Sequence, residues 1–202
     1  MKPSTAILTT TAAALLLMGC ARNNGNNGNN GGGETAAKAE LTEQQDSLMQ
    51  HGWQMPAKVT TGELPEQYGI RNRYGQQDNW FDIAVSEGLN VAVKVMDAAT
   101  DECIRYVYVE ENSSETINQI PPGQYYLKLA YGHDWMEQEQ PDGRTVGKFT
   151  RDAMYERSTD TFDFGVKHST AMVNYSLEIK VSKSAHTSNF RTQEIYEATF
   201  LE

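Results

Sequence analysis

A two-residue period of apolar side chains governs the sequence from Trp80 onwards and constrains the fold more than any other feature. In each segment the apolar residues alternate with polar or small ones, as in strands that place one face on a core and the other in water. The clearest apolar faces are Leu89, Val91, Val93 and Val95; Tyr125, Leu127, Leu129 and Tyr131; and Tyr175, Leu177, Ile179 and Val181. Residues 190–201 are a further strand candidate. The pattern predicts a mainly β domain over residues 80–202, a single antiparallel β-sandwich of about seven strands.

Turn-forming residues separate the predicted strands. Pro, Gly and Asp favour tight turns because they fix or relax backbone torsions, and they occur at 97–101, 121–123 and 141–143. The last of these turns lies inside residues 132–163, where charged and aromatic side chains are interspersed. We interpret this segment as an insertion in the sandwich, which is either a solvated hairpin or a binding surface.

Residues 41–79 precede the predicted sandwich and carry weaker signals. Thr42 and Gln45 have the spacing of a capping box, and Gly52 is suited to end a helix, so a short helix is expected near 42–51. The remainder of this segment contains prolines and glycines without a sustained period. We expect it to be extended and irregular, and to pack on the domain through one or more aromatic residues: Trp53, Tyr68 or Tyr74.

The first 19 residues resemble a secretory signal peptide. Lys2 precedes a mostly apolar run that is too short to span a membrane as a helix. The run ends in Leu17-Met18-Gly19-Cys20, which resembles the bacterial lipobox, with Met18 where Ala or Ser is usual. The resemblance implies that residues 1–19 are removed and that Cys20 carries acyl chains, in which each buried CH₂ contributes about 0.8 kcal/mol to membrane binding. The alternative is an unprocessed N-terminal helix.

Asn and Gly dominate the chain after Cys20, so residues 20–40 are interpreted as the lipidated cysteine and a flexible linker. Surface-exported lipoproteins of the bacteroidete type usually carry acidic residues directly after this cysteine, whereas here the sequence is Ala21-Arg22-Asn23-Asn24. We therefore expect a lipid anchor in the outer membrane, on the periplasmic face rather than the cell surface. The net charge of −10 argues against nucleic acid as a partner, because phosphates would repel the chain.

Two motifs within residues 89–132 resemble those of the carboxypeptidase regulatory-like domain. A strand that ends in Asp97-Ala98-Ala99-Thr100 matches the Asp-x-x-Thr pattern, and Pro121-Pro122-Gly123-Gln124-Tyr125 matches the Pro-Pro-Gly-x-Tyr pattern. The resemblance implies a transthyretin-like, or prealbumin-like, sandwich. Domains of this group are usually non-catalytic, so the resemblance brings no active site with it.

Motifs of catalysis and metal binding are absent from the sequence. The four histidines are scattered, and no Cys-x-x-Cys pair, P-loop or Gly-x-Ser-x-Gly elbow occurs. With Cys20 lipidated, Cys103 has no partner for a disulfide, and its strand-like setting predicts a small buried hydrophobe. We expect no enzyme activity, no cofactor and no metal. The carboxylates of residues 132–163 lack the spacing of a glycosidase pair, so the remaining catalytic alternative is a hydrolase whose site matches no known motif.

Aromatic and basic residues of the 132–163 segment are the candidate partner-binding site. Long segments on a rigid sandwich concentrate contacts, and exposed Trp and Tyr with Arg form interface hot spots. The candidates are Trp135, Arg144, Phe149, Arg151 and Tyr155. The leading hypothesis is a non-enzymatic structural or adaptor subunit that binds an envelope protein. The membrane complex of type VI secretion is a candidate assembly, because its outer-membrane lipoprotein has a sandwich of similar architecture.

The second hypothesis is a carbohydrate-binding module of a surface lipoprotein. Sandwiches commonly bind glycans through a row of exposed aromatic rings, and strand tyrosines are available at Tyr106, Tyr108, Tyr126 and Tyr131. The alternative for these tyrosines is half-buried packing, which is common for Tyr in strands.

Overall fold

The computed structural model describes residues 43–165, 173–182 and 185–202 of the chain. The predicted signal peptide, the lipidation site Cys20 and the linker at 20–40 lie outside these residues. The first described element, helix α1, covers residues 43–50. It is followed by Gly52, whose φ of +87° is a left-handed conformation that glycine adopts at little cost. The predicted short helix is confirmed.

Strands make up much of the remaining described chain. In order they are β1 (Trp53–Gln54), β2 (Gly62–Glu63), β3 (Trp80–Val85), β4 (Asn90–Asp97), β5 (Cys103–Val109), β6 (Ser113–Asn118), β7 (Gln124–Glu139), β8 (Thr145–Ser158), β9 (Phe162–Asp163), β10 (Tyr175–Ser182), β11 (Ala185–Ser188) and β12 (Thr192–Glu194). A 3-10 helix, Glu66–Tyr68, lies between β2 and β3, and helix α2, Glu197–Leu201, follows β12. The fold is mainly β, as the alternation predicts.

The described strands form two sheets. Sheet A has eight strands in the order β12-β8-β7-β4-β5-β2, with β1 and β9 also paired to β7, and sheet B has four in the order β11-β10-β3-β6. All pairings within the described chain are antiparallel except that of β10 with β3, which is parallel. The expected antiparallel sheets are confirmed, whereas the expected number of about seven strands is wrong and one described pairing is parallel. Two-residue strands such as β1 and β2 are too short for alternation to reveal.

The inner core lies between the two sheets. Each predicted apolar face contributes to it, which confirms the assignment of buried faces in β4, β7 and β10. We define the inner core as Phe81, Ile83, Val85, Leu89, Val91, Val93, Val95, Ile104, Val107, Val109, Ile117, Ile120, Tyr125, Leu127, Leu129, Tyr131, Phe162, Phe164, Leu177, Ile179 and Phe190. Most of these side chains are aliphatic, and Phe81 adds an aromatic contact to Phe164 at a centroid distance of 4.8 Å.

The opposite face of sheet A is also covered, so the expectation that each strand keeps one wet face is wrong for its central strands. Residues 53–79, which we call the covering segment, and α2 pack over this face. They enclose the outer cluster, defined as Leu64, Tyr68, Ala92, Tyr106, Tyr108, Ala130, Trp135, Phe149, Tyr155 and Phe200. Even Lys94, on the predicted wet face of β4, is only 7% exposed. The covering segment packs through Tyr68, as expected, whereas Tyr74 is 59% exposed.

Residues 190–201 form β12 and then helix α2, so the prediction of a single final strand is wrong. Two lysines of sheet A hold α2 in place. Lys94 Nζ donates a hydrogen bond to the carbonyl oxygen of Phe200 at 2.6 Å, and Lys128 Nζ donates to that of Thr199 at 2.7 Å. Positive charge at the carboxyl end of a helix is favourable because the last carbonyls have no partner within the helix.

Candidate functional site

Residues 132–163, expected to be an insertion, are mostly the outer half of β7 and the whole of β8, the two longest described strands. The pairing of these strands shifts register between Tyr131 and His133. Ala130 and Trp135 consequently both pack in the outer cluster, although a regular strand would place them on opposite faces. The far half of the hairpin is therefore part of the packed fold and not a loop attached to it.

Three of the five candidate binding residues are buried, and the expectation that they are exposed is wrong. Trp135, Phe149 and Tyr155 are 6%, 1% and 7% exposed. The Trp135 and Phe149 rings are in edge contact at a centroid distance of 4.8 Å, and Trp135 Nε1 donates to the hydroxyl of Tyr68 at 3.2 Å. The Tyr155 hydroxyl donates to Glu197 Oε2 at 3.1 Å. These aromatic residues fasten the hairpin to the covering segment and to α2.

The other two candidates lie at the surface. Arg144, at the hairpin turn, has a side chain that is 62% exposed and an Nε–Oδ2 distance of 2.7 Å to Asp142. Arg151 is further from the turn, with a side chain that is 36% exposed and an Nε–Oδ2 distance of 2.9 Å to Asp134. The hydrogen bond from Arg151 holds the pKa of the Asp134 carboxyl below its ordinary value. The structure thus separates the five candidates into two outward cations and three inward aromatic rings.

The four strand tyrosines considered for glycan binding are buried as well. Tyr106, Tyr108, Tyr126 and Tyr131 are each at most 4% exposed. They lie on both faces of sheet A, since Tyr131 belongs to the inner core and Tyr106 to the outer cluster. They do not form an exposed aromatic row, so the packing interpretation of these residues is the one that the structure supports.

A cleft of about 350 Å³ opens where the covering segment, the hairpin turn and α2 meet over β4 and β5. We call it the outer cleft. Four cationic residues line it: Arg71, Arg73, Lys94 and Arg144. Its walls also include the apolar residues Ile70, Met96, Val146 and Leu201. The cleft therefore combines positive charge with apolar surface in a chain whose net charge is −10.

Two ionisable groups that line the outer cleft, Lys94 and Cys103, have pKa values shifted by burial in opposite directions. Burial lowers the pKa of Lys94 to about 8, and its Nζ lies 4.9 Å from the centroid of the Phe200 ring. Burial raises the pKa of the Cys103 thiol to about 11, and its Sγ lies 3.1 Å from the carbonyl oxygen of Arg105. Because a thiolate is the reactive form of cysteine, Cys103 is a poor nucleophile at neutral pH.

Neither metal ligation nor family membership identifies the site. Within the described ranges, no group of three or more His, Cys, Asp and Glu side chains is placed to hold a metal ion. No helix of the described chain is long and apolar enough to cross a membrane. Comparisons with protein-family models, with curated proteins and with solved structures find no match to this chain. The surfaces of the molecule itself are therefore the basis for a functional assignment.

The sequence did not predict the outer cleft. Its residues come from segments that are remote in the chain, around positions 71, 94, 103, 144 and 201, and only the fold brings them together. One signal was available in the sequence. Lys94 is a charged residue at the centre of a strand that otherwise contains Val, Ala and Met, and such a residue is either on a wet face or in a special environment.

Proposed function

We propose that the protein is a non-enzymatic lipoprotein of the outer membrane that acts as a structural or adaptor subunit of a cell-envelope assembly. The lipobox-like residues 17–20 support the anchor, and the Asn- and Gly-rich residues 20–40 support a flexible tether. The absence of acidic residues directly after Cys20 favours the periplasmic face. The membrane complex of type VI secretion is the candidate assembly, by analogy of architecture alone.

We further propose that the two-sheet fold is of the transthyretin-like type seen in carboxypeptidase regulatory-like domains. The local geometry at the two motifs of the resemblance supports this proposal. Asp97, at the end of β4, accepts a hydrogen bond at Oδ1 from the backbone N–H of Ala99 at 2.8 Å, which forms a tight turn. Tyr125, just after Gly123, is buried in the inner core, and its hydroxyl donates to the carbonyl oxygen of Pro121 at 2.9 Å.

The main support for the binding proposal is a rigid hairpin with charged groups on its outer surface. Trp135 and Phe149 are buried in the outer cluster and hold the hairpin against it, whereas Arg144 and its neighbours at the turn are exposed. A surface of this kind meets a partner without first losing conformational freedom, which lowers the entropic cost of association. Arginine is also enriched at interface hot spots. We therefore assign Arg144 and Arg151 to the partner-binding surface.

The test is purification of the full-length, tagged protein from gently solubilised membranes of its host, followed by identification of bound proteins. A stoichiometric envelope protein is expected with the wild type and is expected to be lost with Arg144→Glu and with Arg151→Glu, because each reverses a surface charge. Lys180→Glu is the matched control, since the Lys180 side chain is 70% exposed on sheet B. A protein that purifies alone, or one whose partner is retained in both arginine variants, would contradict the proposal.

The anchor has a separate test. Mass spectrometry of the mature N-terminal peptide should show an acylated Cys20, and the outer-membrane fraction should contain the protein. Cys20→Ala is expected to leave residues 1–19 uncleaved by the lipoprotein route and to remove the acyl chains. An unmodified Cys20 in the wild type would overturn the anchor without bearing on the hairpin surface.

A further inference from the structure

The outer cleft has the size and the composition of a small-molecule site. Its volume of about 350 Å³ lies at the lower end of the roughly 300–1,000 Å³ of ligand pockets in proteins. Such pockets combine apolar walls with a few convergent polar groups. Here Met96 and Val146 supply apolar wall, and the cationic residues supply the polar groups.

The charges of the cleft are unevenly compensated. Arg73 forms an ion pair with Glu102, and Arg144 forms one with Asp142. In contrast, Arg71 makes no ion pair within the described part of the chain. The only hydrogen bond found for the Lys94 ammonium there goes to a neutral acceptor, the carbonyl oxygen of Phe200. Two positive charges that face one cleft therefore have no carboxylate partner among the described residues.

Lys94 is the stronger indication of a ligand because it is buried. A charge removed from water without a counter-charge is unfavourable, and proteins rarely retain one without a reason. An ammonium carries three N–H donors, and the bond to Phe200 uses one of them. Lys94 is only 7% exposed, yet it lines the cleft. A buried cation at the wall of a cavity marks a functional-site candidate.

We propose that the outer cleft binds a small organic monocarboxylate, whose carboxylate pairs with Lys94 and Arg71 and whose apolar part lies against Met96 and Val146. The site shares Arg144 with the proposed partner-binding surface, but the proposal does not depend on that surface, because the carboxylate is assigned to Lys94 and Arg71. The carboxylate supplies the missing counter-charge, and the apolar walls supply contact area for a hydrocarbon or aromatic group. Three carboxylates, Asp101, Glu102 and Glu202, also line the cleft, and they disfavour a multiply charged anion such as phosphate.

The experiment is a calorimetric titration of the full-length protein in a non-ionic detergent. The probes are butanoate, hexanoate and phenylacetate, with hexanamide as the uncharged control and inorganic phosphate as the alternative anion. Saturable binding is expected for at least one carboxylate and is expected to be absent for hexanamide. No saturable binding of the three carboxylates at millimolar concentration, or tighter binding of phosphate, would overturn the proposal.

Two variants assign the binding to the cleft. Lys94→Met keeps the apolar stem but removes the charge, and affinity should fall by about tenfold or more, as for the loss of a charge-assisted hydrogen bond. Arg71→Gln should have a smaller effect because Arg71 is exposed. Lys180→Met is the control and should leave affinity unchanged. Equal affinity of Lys94→Met and wild type would contradict the site.

A second readout in the wild type keeps the test decisive if Lys94→Met does not fold. Side-chain nitrogen NMR of the lysines follows the protonation of Lys94 directly. Saturation with the bound carboxylate should raise the Lys94 pKa from about 8, because a nearby negative charge favours the ammonium. The charged and titratable groups around Lys94 include Cys103, Lys128, Arg144 and Tyr106, whose ring centroid is 5.3 Å from Nζ, and they are present in both states. An unchanged Lys94 pKa on saturation would place the ligand elsewhere.

Discussion

The inner core and the outer cluster lie on opposite faces of sheet A and differ in the side chains that fill them. The inner core is mainly Val, Ile, Leu and Phe, and most of it is contributed by the strands of the two sheets. The outer cluster is mainly aromatic, is covered by segments far apart in the sequence, and has buried lysines beside it. The two faces of sheet A therefore differ in role: the inner face forms the aliphatic core between the sheets, and the outer face forms an aromatic cluster beside the outer cleft.

The largest effect should come from truncation in the inner core. Phe81 is fully buried and contacts the rings of Phe162 and Phe164 at centroid distances of 5.1 and 4.8 Å. Phe81→Ala is expected to lower the free energy of unfolding by about 4 kcal/mol, as large-to-small changes in cores do. The measurement is urea denaturation.

Phe200→Ala is the matched change in the outer cluster, because Phe200 is equally buried. The loss should be smaller, about 2 kcal/mol, since the five-residue helix α2 can detach while both sheets remain folded. Equal losses for the two variants would contradict the distinction between the two faces.

Breaking the ion pair that joins the covering segment to β5 should lower the free energy of unfolding by about 2–3 kcal/mol. The Arg105 side chain is fully buried, with its Nε 3.0 Å from Glu63 Oε1, and Glu63 is 29% exposed. Glu63→Gln leaves the guanidinium buried without a counter-charge. The double variant Glu63→Gln, Arg105→Met should recover much of the loss in urea denaturation, because it removes the charge as well. If the double variant is as unstable as Glu63→Gln, the loss of stability comes from packing and not from the buried charge.

A third loss of stability should follow from substitution of Gly132, which lies at the register shift between β7 and β8. Gly132 has a φ of +155°, and a Cβ there would lie 2.5 Å from Phe149 Cβ and 2.9 Å from the carbonyl oxygen of Arg151. Gly132→Ala should therefore cost about 2 kcal/mol and should accelerate amide hydrogen exchange in the far half of β7 and β8, with little change in sheet B. Gly143→Ala is the control, with positive φ but open space around its Cβ, and should cost about 1 kcal/mol. Exchange that accelerates equally in β3 and β10 would contradict a local effect.

The smallest effect is a pH dependence of the free energy of unfolding that comes from Lys94, on the outer face of sheet A. Burial lowers the pKa of Lys94 from 10.5 to about 8, so between these values the unfolded chain binds a proton that the folded chain has released. The free energy of unfolding should therefore rise with pH, by about 1 kcal/mol between pH 7 and pH 9 relative to Lys94→Met. Cys103, whose pKa rises from 9.0 to about 11, acts in the opposite direction but is common to both proteins. A wild-type advantage that does not grow with pH would contradict the uncompensated charge.

The sequence predicted the core-facing sides of both sheets well and the outer side of sheet A poorly. Alternation identified the buried faces of β4, β7 and β10 because aliphatic residues at period two are typical of strands with one buried face. The outer side was missed because Lys94 and Lys128 look like solvent-facing residues, although their stems are apolar and their charged ends meet the carbonyls of α2. Trp135 was expected at the surface because residues 132–163 were interpreted as an insertion, and the register shift that places it in the outer cluster has no local sequence pattern.

The prediction of a final strand at residues 190–201 failed for a different reason. The apolar residues there, Phe190, Ile195, Phe200 and Leu201, are too few and too irregularly spaced to show either period, and a five-residue helix is too short to produce a clear one. The five candidate binding residues divide between the surface and the outer cluster. Arg144 and Arg151 are at the surface. The three aromatic candidates, Trp135, Phe149 and Tyr155, are buried and pack the hairpin into the outer cluster.

The bond between Lys94 and Phe200 joins residues 106 positions apart, and this separation governs the order in which the molecule can assemble. Contacts that close a long loop form late, because the entropy of the chain must be lost before they are gained. The outer face of sheet A therefore stays open, with its aromatic rings in water, until residues near 200 are available. An intermediate with a formed inner core and an open outer face should bind hydrophobic dyes transiently during refolding, and it is the species most exposed to aggregation.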